Sequence, residues 1–325
     1  MKAPFPYFGG KSAVAPIVWA ALGDVPNYVE PFFGSGAVLL ARPASHKWAE
    51  RIETANDADG LIANFWRATQ AAPDEVAKWA DWPVNENDLT ARHAWLVGQK
   101  DSLQAKLEGD PDYYDAKVAG WWVWGICQWI GSGWCSGKGP WRVVDRKLVH
   151  LSGGRGINRK RVQLRNGGEG INATDWRENL EDMMGALRDR LRRVRVCCGD
   201  WSRVCGFSPT TALALTGVFL DPPYSQEERA PELYGVEMEI ATSVRDWAVK
   251  RGADPLMRIV LCGYEGEHAM PEGWTAHAWK ANGGYGSQGE GRGRENASRE
   301  VLWFSPHCLK PSQQAVMPML AGDVT

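Results

Sequence analysis

Short apolar runs and amphipathic stretches alternate at both ends of the chain, and their period sets what each one forms. Tyr28-Val29-Glu30-Pro31-Phe32-Phe33 reads as a short buried strand, after which Gly34-Ser35-Gly36 turns the chain and Ala37 to Ala41 opens a helix. Ile52 to Asp57 is a second strand ending in Asn-Asp, and Leu61 to Trp66 begins the next helix. This rhythm predicts an α/β fold with a parallel sheet. It breaks from about Pro73 to Asn172, where polar helical stretches, a Trp-rich segment and two Gly-rich stretches follow one another in the manner of an insertion. Helical spacing returns after Asn172, a candidate N-cap, with Trp176, Leu180, Met183, Leu187, Leu191 and Val194 on one side. Arg188, Arg190, Arg192 and Arg193 fall on the side expected to be exposed. Strand patterns resume at 194–198, 218–220, 258–262 and 300–304, with a helix over 237–250 and a Gly-rich loop over 282–296.

A chain of 325 residues can hold one large α/β domain plus an insertion. The formal net charge of -2 argues against a globally basic nucleic-acid coat, so any grip on phosphates has to come from a local patch. One such patch is the segment 138–165. Lys138, Arg142, Arg146, Lys147, Arg155, Arg159, Lys160, Arg161 and Arg165 crowd there, with Asp145 as its acid. Arg292 and Arg294 in the Gly-rich loop form a second candidate patch. The cysteines show no paired C-x-x-C spacing, so neither a zinc site nor a disulfide framework is implied. No stretch approaches the roughly 20 apolar residues of a membrane span, and the expectation is a reduced, soluble, cytoplasmic protein. The tryptophans between Trp121 and Trp141 read mainly as core, with Trp134 and Trp141, in glycine-rich surroundings, the better candidates for stacking on a base.

The richest chemistry stands at the end of the strand 218–220, where Asp221-Pro222-Pro223-Tyr224 follows directly. Two prolines cannot donate to a sheet ladder, so the strand stops and the backbone is held extended. The turn then presents a carboxylate, carbonyl oxygens and an aromatic face together. A planar exocyclic amine, with two N–H donors on the edge of a flat ring, requires such a set. The Phe33-Gly34-Ser35-Gly36 turn lets backbone approach a ligand, but the third glycine of a dinucleotide fingerprint falls on Leu39. Gly10-Lys11-Ser12 resembles the end of a phosphate loop, yet the earlier glycine falls on Phe5. Hydride and phosphate transfer are thereby disfavoured. Asp57 and Asp200 end successive strands and suit a ribose diol and an adenine amine, which points to an adenosyl cofactor.

Taken together, Phe5-Pro6-Tyr7-Phe8-Gly9-Gly10-Lys11, Val29 to Gly36, Asn56-Asp57 and Asp221 to Tyr224 resemble, in content and order, the Dam-type S-adenosylmethionine-dependent DNA adenine-N6 methyltransferases of bacteria and phages. The resemblance covers roughly residues 3–70 and 190–305. It implies a Rossmann-like methyltransferase sheet, mostly parallel with an antiparallel C-terminal strand, split into 1–72 and 186–309. Between them lies a mainly helical or irregular target-recognition insert, 73–185, and a loosely ordered tail, 310–325, follows. It also implies that Tyr7, Lys11, Phe32, Gly34 and Gly36, with Glu30, Phe33 and Ser35 beside them, bind S-adenosylmethionine and its product S-adenosylhomocysteine. Asp57 is the implied ribose acid, and Asp200-Trp201 the end of the family's cofactor block. Asp221, Pro222, Pro223 and Tyr224 are implied to hold the amine of a base flipped from DNA. Cytosine-N4 methylation uses the same acceptor geometry, RNA is a further possible substrate, and a catalytically idle DNA-binding protein on this scaffold is the alternative outside enzymology. No metal and no membrane partner are expected. A separate restriction endonuclease is left open.

Overall fold

The structure, a computed structural model, describes residues 1–7, 9–44, 51–129, 134–135, 141–144, 147–150, 180–206, 211, 213–223, 231–279 and 300–310, with 141–144, 147–150 and 231–237 as backbone alone. Its frame is a seven-stranded sheet in the order β5-β2-β1-β6-β7-β9-β8. The strands are β1 (Asn27–Glu30), β2 (Ile52–Asp57), β5 (Val194–Cys198), β6 (Thr216–Leu220), β7 (Met257–Tyr264), β8 (Thr275–Trp279) and β9 (Glu300–Phe304). Neighbours from β5 to β7 are parallel, whereas β9 runs antiparallel to both β7 and β8. The reversed strand is the last one in the chain, as expected from the sequence.

Period-2 alternation explains how the sheet is buried on both faces. Tyr28, Phe219, Val260, Cys262, Leu302 and Phe304 point into one core cluster, and their neighbours Val29, Val218, Leu220, Ile259, Leu261, Val301 and Trp303 point into the other. The first cluster takes in the apolar faces of α1 (Ala15–Leu22), α3 (Gly60–Ala71), α4 (Pro73–Ala80), α6 (Ala116–Ile126) and α7 (Leu180–Leu191). The second is closed by α8 (Ser202–Cys205) and by Val244 and Ala248 of α9 (Pro231–Gly252). The remaining helices are α2 (Ala37–Leu40) and α5 (Glu86–Gly109), and β3 (Trp141–Val144) with β4 (Lys147–His150) forms a separate antiparallel ribbon.

Asp59, Asn85 and Asp115 cap α3, α5 and α6 by accepting from Leu61, Asp88 and Val118 backbone N–H groups. Polar ties fix α3 to the helices that follow it. The Asn64 amide donates to the Asp115 carbonyl at 2.8 Å and accepts from its N–H at 2.7 Å. Arg67 donates to the carbonyls of Val196, Leu107 and Asp110. The tryptophan segment is mostly core. Trp134, one of the two tryptophans that were the better candidates for stacking, belongs to the core as well: it is buried against His93 and Trp129 and donates to the Trp122 carbonyl at 3.1 Å. It fits because residue 125 is glycine, whose Cβ would otherwise meet the Trp134 ring. Around α5 and α6, Arg92 lies 4.3 to 5.0 Å from the ring centres of Trp82, Trp121 and Trp124, a desolvated cation held by ring faces. Arg190 also departs from expectation. It turns inward to pair with Glu53 at 2.7 Å and to donate to the Leu39 carbonyl.

Phe219 sits at the centre of the sheet and is 1% exposed. Phe219→Ala is expected to destabilise the fold by about 3 to 5 kcal/mol, read as the shift of a denaturant midpoint at unchanged slope.

Candidate functional site

The chain winds outward from β1 through β2 to β5 on one side and from β6 to β7 on the other. Ligands of open α/β sheets bind where this direction reverses, outside the carboxyl ends of the strands. Here the reversal lies between β1 and β6, and the residues singled out by sequence gather at that mouth.

After β1 the chain turns sharply. Gly34 and Gly36 take φ of +48° and +66°, values that a side-chain-bearing residue adopts only at a cost of about 1 to 2 kcal/mol. Space also requires glycine here, because a Cβ on Gly34 would lie 2.8 Å from the Tyr7 ring and one on Gly36 would lie 2.9 Å from the ring of Phe33. The turn is held from below by the Trp66 indole, which donates to the Gly34 carbonyl at 2.9 Å. It is held from the side by Asp57, which accepts from Gly34 N–H at 2.8 Å. The other Asp57 oxygen accepts from Asp59 N–H at 2.9 Å, and Asp59 pairs with Lys100 of α5 at 2.9 Å. A carboxylate has about four acceptor positions, so Asp57 retains capacity for hydroxyl donors. Asn56 ties three strand ends together by donating to the carbonyls of Pro31 and Gly199.

Tyr7 covers the turn with its ring and remains 41% exposed. Phe32, half-buried, stacks against Trp201 with ring centres 6.4 Å apart and planes 26° from parallel. Ser35 and Phe33 are buried beneath the turn. Asp200 is exposed, and one of its oxygens accepts from the Ser202 N–H and hydroxyl at the start of α8.

On the β6 side, Asp221 is half-buried, Pro222 is buried and Pro223 is exposed. Tyr224 lies outside the described residues. Asp221 meets the N-terminal block through Lys11, whose Nζ stands 3.1 Å from Asp221 Oδ1 and donates to the Gly9 carbonyl at 2.7 Å. Lys11 is almost fully buried. Desolvation alone would lower its pKa, but Asp221, Cys262 and Glu300 around it leave it raised. Glu30 is buried nearby and accepts from the Tyr28 hydroxyl at 2.8 Å and from Leu39 N–H at 3.2 Å. Burial outweighs these bonds and pushes Glu30 up to about 8. Burial likewise pushes Asp57 up to about 7, against the two backbone donors that oppose it.

Glu300 completes the cluster, 3.5 Å from Lys11 Nζ, and sequence reasoning missed it. The signal was present: a lone acid opening the apolar run of a strand that reverses direction brings its first residue, not its last, to the carboxyl edge of the parallel strands. Of the candidate phosphate-gripping residues, Lys138, Arg146, Arg159, Lys160, Arg161, Arg292 and Arg294 lie outside the described residues. Arg142 and Lys147 belong to the β3–β4 ribbon, which is described as backbone alone. Among the described residues no group of three His, Cys, Asp or Glu side chains is placed to hold a metal, and no helix is long and apolar enough to cross a membrane. No protein-family model and no curated protein matches the chain.

The folded chain retains the Glu30 proton up to about 8, whereas an ordinary glutamate releases it near 4.5. Between those values the folded state binds more protons than the unfolded one, so stability is full below about pH 4.5 and is lost as pH rises through 8. Glu30→Gln is expected to match the wild type at pH 5 and to melt several degrees higher at pH 9, measured as thermal midpoint against pH.

Proposed function

We propose that this chain is a DNA methyltransferase that carries a methyl group from S-adenosylmethionine to the N6 amino group of adenine. The observation that carries the reading is the composition of the mouth between β1 and β6. Asp221 and Glu300 stand there 3.1 and 3.5 Å from the buried ammonium of Lys11, and Asp57 accepts from the backbone of the glycine turn next to the Tyr7 ring. Such a set of acceptors suits a ligand that brings hydroxyl, amine and cationic groups better than one that brings a phosphate. An adenosyl sulfonium has those properties. The mostly parallel sheet with its reversed last strand supports the same reading, being the arrangement that the sequence resemblance implies.

The residues fit the cofactor. Asp57 has acceptor capacity for a diol beside the backbone of Gly34, Phe32 and Trp201 offer aromatic faces, and Tyr7 presents a ring whose face favours a cation. When bound, S-adenosylmethionine supplies an electrophilic methyl on a positively charged sulfur. The chain's own residues prepare the amine. An aromatic amine delocalises its lone pair into the ring and is a poor nucleophile. The Asp221 carboxylate and the Pro222 carbonyl accept its two N–H groups and draw the nitrogen toward tetrahedral geometry, which localises the lone pair. The two prolines fix that carbonyl beside the carboxylate, since neither can rotate about φ. The amine proton becomes acidic as the new bond forms, and Asp221 takes it or passes it to water. The target atom lies inside a duplex, so the base is flipped out, at a few kcal/mol of unstacking.

Asp221→Ala is expected to lower methyl transfer by at least about a hundredfold while S-adenosylmethionine binding stays within roughly tenfold of wild type. Mass spectrometry of nucleosides from DNA of cells expressing the chain reads the base: N6-methyladenine is expected, and N4-methylcytosine as the sole product reassigns the substrate.

A further inference from the structure

Lys100, on α5, has no role in the reaction as derived above, yet two contacts connect it to the acid proposed to hold the cofactor's diol. Its Nζ lies 2.9 Å from Asp59 Oδ2. The other polar groups of Asp59 are engaged as well. Oδ1 caps α3 by accepting from Leu61 N–H, the carbonyl accepts from Ala63 N–H, and the Asp59 N–H donates to Asp57 Oδ1 at 2.9 Å. The second Asp57 oxygen accepts from Gly34 N–H at 2.8 Å. Asp57 is half-buried, and it keeps acceptor positions for two hydroxyls only while its carboxyl is ionised, since a protonated oxygen becomes a donor. The Asp59 carboxylate beside it opposes that ionised form, and the Lys100 ammonium favours it. Tyr7 from the N-terminal segment and Cys198 from β5 also face Asp57, and Cys135 faces Asp59 and Lys100. All three hold their protons well above the range in which Asp57 titrates, so none of them opposes or replaces the Lys100 charge there.

We propose that Lys100 is a positioning residue for the ribose diol of the adenosyl cofactor, acting on Asp57 through Asp59. The inference rests on the methyltransferase reading. Lys100 holds the Asp59 carboxylate in the cap of α3, and the cap aims the Asp59 N–H at Asp57. The same ammonium keeps Asp57 in the form that accepts hydroxyl donors. With that charge removed, the repulsion between the two neighbouring carboxylates is no longer opposed by Lys100, and Asp57 retains its proton to higher pH. Lys100 and Asp59 are both half-buried, so the effect is that of a partly screened pair.

The test uses the full chain as Lys100→Met and Lys100→Arg. Calorimetry between about pH 6 and about pH 9 compares S-adenosylhomocysteine with an analogue lacking both ribose hydroxyls, and thermal melting accompanies it. In the wild type, affinity for S-adenosylhomocysteine is expected to be full above the Asp57 value of about 7 and to fall as pH drops through it. Lys100→Met is expected to weaken that ligand about fivefold near neutral pH and to move the fall to higher pH. Lys100→Arg, which keeps the charge, is expected to restore both. The analogue brings no diol to Asp57 and is expected to bind the wild type and both variants alike. Wild-type affinity and an unmoved pH dependence in Lys100→Met overturn the inference alone. Equal weakening of both ligands, with the pH dependence unmoved and the melting temperature lowered, overturns it in favour of a structural role. A wild-type chain that binds neither ligand overturns the functional reading, and the inference with it.

Discussion

The reversal of winding direction between β1 and β6 is the constraint on which the rest of the molecule depends. Segments leaving those two adjacent parallel strands depart toward opposite ends of the sheet, so the space above their carboxyl ends is left unroofed by either. Every chemically distinctive stretch in the described residues converges there. The glycine turn follows β1, Asp221 follows β6, Asp57 ends the strand next to β1, and the N-terminal segment that precedes the whole sheet inserts Lys11 between them. The antiparallel β9 adds Glu300 from the far side. One topological feature thus assembles residues from five separate parts of the chain.

Burial holds Glu30 and Asp57 near pKa 8 and 7 and raises Glu300 as well, so these acids keep their protons to higher pH than exposed carboxyls do. Two other buried charged residues are held differently. Glu53 is matched by Arg42 and Arg190, and Arg92 is enclosed by three indole rings. The described residues thus concentrate acids of raised proton affinity near one cleft, where function is proposed.

Legibility in the sequence followed burial and locality. β2, β5 and β9 have the bounds read from the sequence, and of these β9, buried along its whole length, is the one that shows as a nearly unbroken apolar run. β8 was missed because Thr275 to Trp279 forms an edge strand with four exposed residues and no apolar alternation to detect. α1 was missed because Pro16 near its start and an almost wholly apolar helix leave no 3.6-residue contrast. Within the site, residues that act through their immediate neighbours were readable, namely the Gly34 and Gly36 turn, Asp57 at a strand end and Asp221 before two prolines. The Lys11 contacts with Asp221 and Glu300 were not, since they join segments distant in sequence. Arg190 was placed on the wrong side because charge alone does not reveal that Glu53 and a bare carbonyl of Leu39 await it inside.

The acid at the end of β2 shows why these site residues should be treated as coupled. Asp57 accepts from Gly34 with one oxygen and from Asp59 with the other, so it is a latch on the glycine turn before it is anything to a ligand. The left-handed backbone of Gly34 is held by that hydrogen bond, by the Trp66 indole and by the Tyr7 ring lying across it. Asp59, the second donor to Asp57, is itself anchored to Lys100 of α5. α5 is thus linked to the glycine turn through three ion or hydrogen-bond contacts in series. The segment after residue 73, to which α5 belongs, is therefore tied to the glycine turn through Asp59 first and Asp57 second.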